Sequence, residues 1–369
     1  MKHRRLRAGQ WVEVRSKEEI LRTLDKKGQL DGMPFMPNMF AFCGQRLRVY
    51  KRAHKTCDTV FPVRGRRMRE SVHLATRCNG EPYGGCQATC LIFWKEAWLK
   101  HVVGPDPSAQ EPAAEKDPPL ASGEGCTEQD VWAGTRARGP QDEQDPVYVC
   151  QATQLPYASN DLTWWDPRQY VEDYTSGNAG LWRIVKGFVY SCYYHLTEED
   201  HGQGRMMRSF YDKFHALWRG TPYPRRRGTI PAEAATPLPS RPLNLQPGEW
   251  VRVKSYAEIL RTLNTQNKNR GLYFDAEMVP YCGGTYRVLK RVSKILDEKT
   301  GKMSRMKTES VLLEGAVCQS RYSTCRMFCP RAIYSFWREI WLEKVSGPSV
   351  SQVQTRAGRD AASSVFSEV

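Results

Sequence analysis

The chain reads as a mainly β protein with a helical middle: two tandem-duplicated small SH3-like β-barrels flanking an α-helical segment. Three observations lead there. "GQWVEVRSKEEILRTL" (Gly9 to Leu24) lies without a gap over "GEWVRVKSYAEILRTL" (Gly248 to Leu263), and 20 of the 44 positions from Gly9 to Arg52 are identical to those 239 residues on. Within each copy, short apolar–polar alternations separated by turn signals mark strands. Between the copies, proline and glycine stop signals and three aromatic-bearing stretches mark helices.

The expected boundaries are a cysteine-containing β unit at 9–103, an acidic linker at 104–146, an aromatic helical segment at 147–220, a Pro/Arg-rich linker at 221–247, a second β unit at 248–346, and a tail at 347–369. In each β unit, "WVEV" and "WVRV" are half-buried strands. Ser16 with Glu19, and Ser255 with Glu258, have the spacing of a capping box opening a short helix over "EILRTL". "RLRVYKRAHKTC" and "TYRVLKRVSKIL" then pair with "ESVHLA" and "ESVLLEG", and "LIFWKEAWL" and "SFWREIWL" close the units. "DEKTGK" (Asp297 to Lys302) is a hairpin turn with a late glycine. Four or five short, bent strands in about 95 residues suit a small barrel.

The segment from Gly104 to Pro146 carries ten acidic and three basic residues, and its composition predicts disorder. Thr221 to Pro247, with "RRR" at 225–227, and the residues after Ser346 are read the same way. In the middle, Asp166 followed by Pro167 opens a helix that Gly177 and Asn178 end. "AGLWRIVKGFVYSCYYHL" (179–196) and "RMMRSFYDKFHALWRG" (205–220) are two more.

Net charge is +15, and +22 once the acidic linker is set apart, so the expected partners are anionic: nucleic acid, an acidic polymer or acidic lipid. The start "MKHRRLRAGQWVEV" has no apolar stretch behind it, so no secretory signal is read. No run of about 18 apolar residues offers a transmembrane span. The expected place is the cytoplasm, with peripheral contact at the inner membrane face as the variant. There, twelve cysteines point to metal or free thiols rather than disulfides.

Four cysteines recur in each copy: Cys43, Cys78, Cys86 and Cys90, and Cys282, Cys318, Cys325 and Cys329. Paired residues of an antiparallel hairpin have a constant sum of positions. Cys282 and Cys318 centre on residue 300, inside "DEKTGK"; Cys43 and Cys78 centre between 60 and 61, near "FPVRG". Each pair is thus expected at the open end of a hairpin, with the following loop returning the other two. That predicts two tetrahedral Cys₄ sites with Zn²⁺ as the metal, about two ions per chain, and an iron–sulfur cluster as the alternative. Buried core thiols and disulfides are the remaining readings. His54 and Cys57 lie near the hairpin turn, where a solvated hairpin is the plain reading and a separate half-site the sharper one. Cys126 falls in the acidic linker, Cys150 in "CQATQLP" echoes "CQAT" at Cys86, and Cys192 is expected in a helix core.

No phosphate-binding glycine loop, HExxH, GxSxG or kinase set is present, so the reading leans away from an enzyme. Asp166, Glu172 and Asp173 beside Trp164 and Trp165 suggest sugar chemistry at most, and solvated helix acids more plainly. "RLRVYKR", "YRVLKR" and "RGRRMR" place cations on strands and turns, a pattern suited to nucleic acid. The apolar helix at 179–196, with Arg183 and Lys186, suits a membrane interface together with its neighbour, over 179–219.

At "HKTCDT", "GGCQATCLIFWKEAWL", "CQATQLP", "WWDPRQYVEDYTSGN" and "RMFCPRAIYSFWREIWLEKV", the chain resembles an uncharacterised bacterial family. The likeness runs along nearly the whole length outside the linkers. It implies a bacterial, cytosolic protein, often encoded near polysaccharide or secondary-metabolite gene clusters, and brings no residue roles with it. The expectation is a non-catalytic, metal-supported binding or scaffolding protein for an anionic partner. The alternatives are an iron–sulfur redox protein and a peripheral membrane accessory factor in polysaccharide or secondary-metabolite biosynthesis.

Overall fold

The computed structural model describes residues 5–60, 64–105, 125–137, 144–198, 202–217 and 220–347. They form two compact units: 1–184 with 294–305 and 328–332, and 185–293 with 306–327 and 333–369. The strand ladders among the described residues are antiparallel, and the main sheet of each unit curls into a half-barrel.

In the first unit, β1 (Trp11–Val14), β2 (Arg46–Arg52), β5 (Ser71–Arg77), β6 (Leu91–Lys95) and β7 (Leu99–Val102) form one sheet in the order β6-β5-β2-β1-β7. The strands β3 (Lys55–Asp58) and β4 (Arg64–Arg67) extend the hairpin and add β8 (Asn160–Leu162). Lys55↔Arg67 and Cys57↔Gly65 centre that ladder on residue 61, and the turn at 61–63 lies outside the described residues. A second sheet, built mainly by the second unit, runs β9 (Trp250–Val253), β10 (Thr285–Leu296), β11 (Met303–Leu313) and β12 (Leu342–Lys344) in the order β11-β10-β9-β12. The "DEKTGK" turn joins β10 to β11, with Asp297 N donating to Lys302 O at 2.9 Å and Gly301 at φ +70°.

The register recurs with the sequence. Trp11 pairs with Arg48 and Trp250 with Arg287; Val12 pairs with Leu47 and Val251 with Tyr286. The helices α1 (Lys17–Leu21) and α7 (Tyr256–Leu260) each carry the expected capping box, which satisfies the orphan N–H groups of a helix start. The repeated tryptophans belong to the cores. Trp98 Nε1 donates to Thr23 Oγ1 at 3.1 Å and Trp341 Nε1 to Thr262 Oγ1 at 2.9 Å, a buried indole finding its acceptor in each "EILRTL". Phe35 meets Trp98, and Phe274 meets Trp341, edge-on at 5.2 Å in both units.

Several expectations are corrected. Neither "LIFWKEAWL" nor "SFWREIWL" is one strand: a 3₁₀ turn (Glu96–Trp98, Glu339–Trp341) breaks each, turning the second tryptophan inward. The acidic linker is folded in part. Thr127 caps α2 (Glu128–Ala133), and Cys126 and Val131 are buried in the first core, because two apolar groups at that spacing can dock on it. The stretch 221–247 is ordered against the second unit, with Tyr223 and Leu245 buried. The tail at 348–369 lies outside the described residues. The middle holds α3 (Gln151–Gln154), α4 (Arg168–Thr175), α5 (Leu181–Glu198) and α6 (Gly202–Leu217). The boundary between the units cuts α5. Pro167 caps α4 while Asp166 Oδ1 accepts from Arg168 N at 3.0 Å, and Gly177 at φ +78° ends it.

Candidate functional site

The cysteines do not assemble as expected. A 3₁₀ turn (Pro37–Phe42) ends at Cys43, before β2 begins, so Cys43 never joins the hairpin ladder opposite Cys78. Cys78 N instead donates to Cys90 O at 2.9 Å, across the start of β6. Cys78, Cys86 and Cys90 line one small cavity of about 50 Å³ together with Cys150, Glu298 and Arg331. Cys86 Sγ accepts from Leu296 N at 3.3 Å. Arg331 is buried, paired to Glu298 at 2.8 Å, and donates to Cys57 O at 3.1 Å. In the second unit, Cys282 again follows a 3₁₀ turn (Ala276–Tyr281), Cys318 N donates to Ile333 O at 2.7 Å, and Cys325 lies in the turn Thr324–Arg326. Cys329 belongs to the first unit. Among the described residues, no group of three or more His, Cys, Asp or Glu has an arrangement that could hold a metal ion.

Burial keeps Cys43, Cys90, Cys150 and Cys282 protonated. It pushes Cys90 well above the ordinary thiol value, raises Cys43 and Cys150, and lifts Cys282 to about 12. Such groups are poor nucleophiles. Cys192, expected in a helix core, is exposed on α5. Cys192 should therefore be the first thiol of the native protein to react with Ellman's reagent, and Cys192→Ser should remove the fastest phase; an unchanged fast phase would assign it elsewhere.

The hairpin expected to be solvated is buried. All four residues of β3 are inside, as is His54. Asp173 of α4, read as a solvated acid, is 0% exposed, with Lys55 Nζ at 2.6 Å and His54 Nε2 at 3.3 Å. Lys55 Nζ also donates to Gln169 Oε1 at 3.1 Å and lies over the rings of Tyr170 and Phe328, 4.9 and 5.5 Å away. His54 Nε2 sits between two acceptors, Asp173 Oδ1 and Gln169 O at 3.2 Å, so this nitrogen carries the proton. Burial pulls Lys55 below its ordinary value even though Asp173 opposes the shift. With Lys55 only 3% exposed, no substrate reaches it, and the cluster is an internal brace rather than a reacting site. Glu172 beside it takes Arg5, Arg52 and Arg67, each at 3.3 Å.

The same inward pairing holds for the basic strands. Arg46 meets Glu13, Arg52 meets Glu96, and Arg66 meets Asp161 at 2.7 Å. The strand tryptophans Trp94, Trp98, Trp337 and Trp341 are core. The contact surface anticipated from basic strands and tryptophans is therefore internal in part, while Arg48, Arg287, Arg305 and Lys307 stay exposed.

Exposed apolar side chains recur along two helices. From Val185 on, α5 exposes Val185, Phe188, Val189, Cys192 and Leu196, and α6 exposes Met206, Phe210, Phe214 and Leu217. Steps of three and four make each set one stripe. Phe210 is 68% and Leu217 79% exposed. The opposite faces hold the helices in place: Tyr193 contacts Tyr211 at 5.4 Å and Tyr223 at 6.3 Å, and Thr197 Oγ1 is 3.1 Å from Tyr223 Oη. Lys186 and Lys213 are exposed on the same two helices, while Asp212 is bound to Arg226. The sequence pointed to these helices as apolar; only burial shows which side is left outward. Among the described residues, no helix is long and apolar enough to cross a membrane. No protein-family model, curated protein or solved structure matches this chain.

Proposed function

We propose that this chain is a non-catalytic binding protein that settles on an anionic membrane surface through α5 and α6. The observation that carries this reading is the pair of outward stripes, Val185 to Leu196 and Met206 to Leu217. Exposed apolar area of that kind marks an interaction surface. Lysines on the same helices suit a charged lipid interface, where a helix lies in the plane of the headgroups rather than spanning. The half-barrels, read as two SH3-like barrels, serve as the frame. Nucleic acid is the less supported partner, because Arg46, Arg52 and Arg66 of the basic strands already face carboxylates.

Co-sedimentation tests the proposal. The full chain should pellet with phosphatidylcholine vesicles containing ~30 mol % phosphatidylglycerol, and less with phosphatidylcholine alone. Phe210→Glu with Phe214→Glu should weaken pelleting by at least roughly tenfold, with circular dichroism unchanged. A chain that stays in the supernatant at low salt overturns the membrane reading. Steeply salt-dependent binding to DNA or RNA in its place would give the role to nucleic acid.

A further inference from the structure

We infer that Cys78 and Cys90 form a reversible dithiol–disulfide site in the first unit, oxidised by a low-molecular-weight disulfide such as oxidised glutathione. The register brings them together. Arg77 of β5 pairs with Leu91 of β6, and one rung further Cys78 N donates to Cys90 O at 2.9 Å. The two cysteines therefore stand directly opposite each other on an antiparallel ladder. Opposite residues send their side chains to one face, with Cβ atoms about 4.5–5.5 Å apart. A disulfide needs about 3.5–4.5 Å. Both residues line the same cavity of about 50 Å³, which leaves their sulfur atoms room to turn. Cys86 lines it too but is held differently, with Sγ accepting from Leu296 N at 3.3 Å.

The second copy keeps the cysteines but not the pairing. Cys318 stands where Cys78 stands, yet Val317 pairs with Tyr334 and Cys318 N donates to Ile333 O at 2.7 Å, so the residue opposite is Ile333 rather than Cys329. In the first unit the closing movement of about 1 Å falls on irregular backbone. The β5–β6 register shifts between His73 and Arg77. Thr89, next to Cys90, sits at φ +52°, a left-handed conformation that a β-branched residue adopts only under constraint. Arg77 Nη1 holds it there, donating to Thr89 O at 3.0 Å. A bond closed from the wide end of the range is strained, and a strained disulfide is readily reduced.

The chemistry balances. Cys78, half-buried, takes the first step, because burial holds the Cys90 thiol protonated. The Cys78 thiolate attacks one sulfur of oxidised glutathione, and one glutathione thiolate leaves. Cys90 then loses its proton to water and attacks the Cys78 sulfur, expelling the second glutathione. The protein gives up two protons and two electrons, and one glutathione disulfide becomes two thiols. The site lies within the first unit and does not depend on the membrane reading.

The test is peptide mapping of the full chain. Reduced protein is incubated overnight with oxidised glutathione, quenched, denatured, alkylated with N-ethylmaleimide and digested with trypsin. The tryptic peptide 78–95 carries Cys78, Cys86 and Cys90. All three should be alkylated before oxidation and only Cys86 after it, with no glutathione attached; dithiothreitol should restore all three. Cys86→Ser should leave the bond intact. Cys90→Ser should trap Cys78 as its glutathione adduct, with circular dichroism checking the fold. Three alkylated cysteines in oxidised wild type, or a bond to Cys86 or Cys150, overturns the site. A bond at Cys318 as well would remove the register as its cause.

Discussion

Asp173→Ala is expected to lower stability by about 3–5 kcal/mol, the usual cost of leaving a buried charge without its partner. Lys55 is the charge left behind, 3% exposed, with Tyr170 and Phe328 around its ammonium group and only Gln169 Oε1 to accept from it. Lys55→Met with Asp173→Leu should return most of that loss, because two apolar groups of similar volume avoid both desolvation costs. Urea denaturation of Lys55→Met, Asp173→Leu and the double completes a cycle. Additive effects would show that the pair is not coupled, contrary to the 2.6 Å contact. The pH dependence has a definite sign. Burial lowers the Lys55 pKa in the folded chain, so the unfolded chain binds that proton more tightly. The associated stability is complete above the ordinary lysine value and declines as pH falls through the folded one.

Acid should destabilise the first unit through His73. Its ring is fully buried on β5, with Nδ1 2.8 Å from Ile92 O and the ring 4.4 Å from Phe93. Burial is the main cause that lowers its pKa to about 3, with Arg331, Arg77 and Lys51 adding to it. A depressed folded value means that stability is present above the ordinary histidine value and is lost as pH falls toward the folded one. The window runs from about pH 6.5 to about pH 3, and the loss by pH 4 is about 3 kcal/mol. Chemical denaturation at pH 7 and pH 4 should show wild type losing that much more than His73→Gln. Parallel losses in the two proteins would remove His73 as the cause.

Much of the secondary structure was legible because its causes are local. Ser16 and Glu19, and Ser255 and Glu258, cap helices by their spacing alone. Asp297 and Gly301, four residues apart, make the hairpin turn by their own local bonds and backbone conformation. The 239-residue offset carried the register of β1 on β2 into β9 on β10. The cysteine geometry was not legible, because it turned on the 3₁₀ turn that stops at Cys43, a deviation of a few residues that a constant-sum argument does not see. Cys150 reached the thiol cavity from outside the repeat, and its four-letter echo of Cys86 was the one available signal.

The sequence by itself determined the repeat, the caps and the apolar character of 179–217, because each rests on spacing within a few residues or on identity between copies. Tertiary structure alone decided which charges are neutralised inside. Lys55 and Asp173 are 118 residues apart, and Arg52 and Glu172 are 120 apart. No local pattern distinguishes a solvated charge from one that must find a partner on burial. The outward direction of the α5 and α6 stripes was decided in the same way, by Tyr193, Tyr211 and Tyr223 claiming the opposite face.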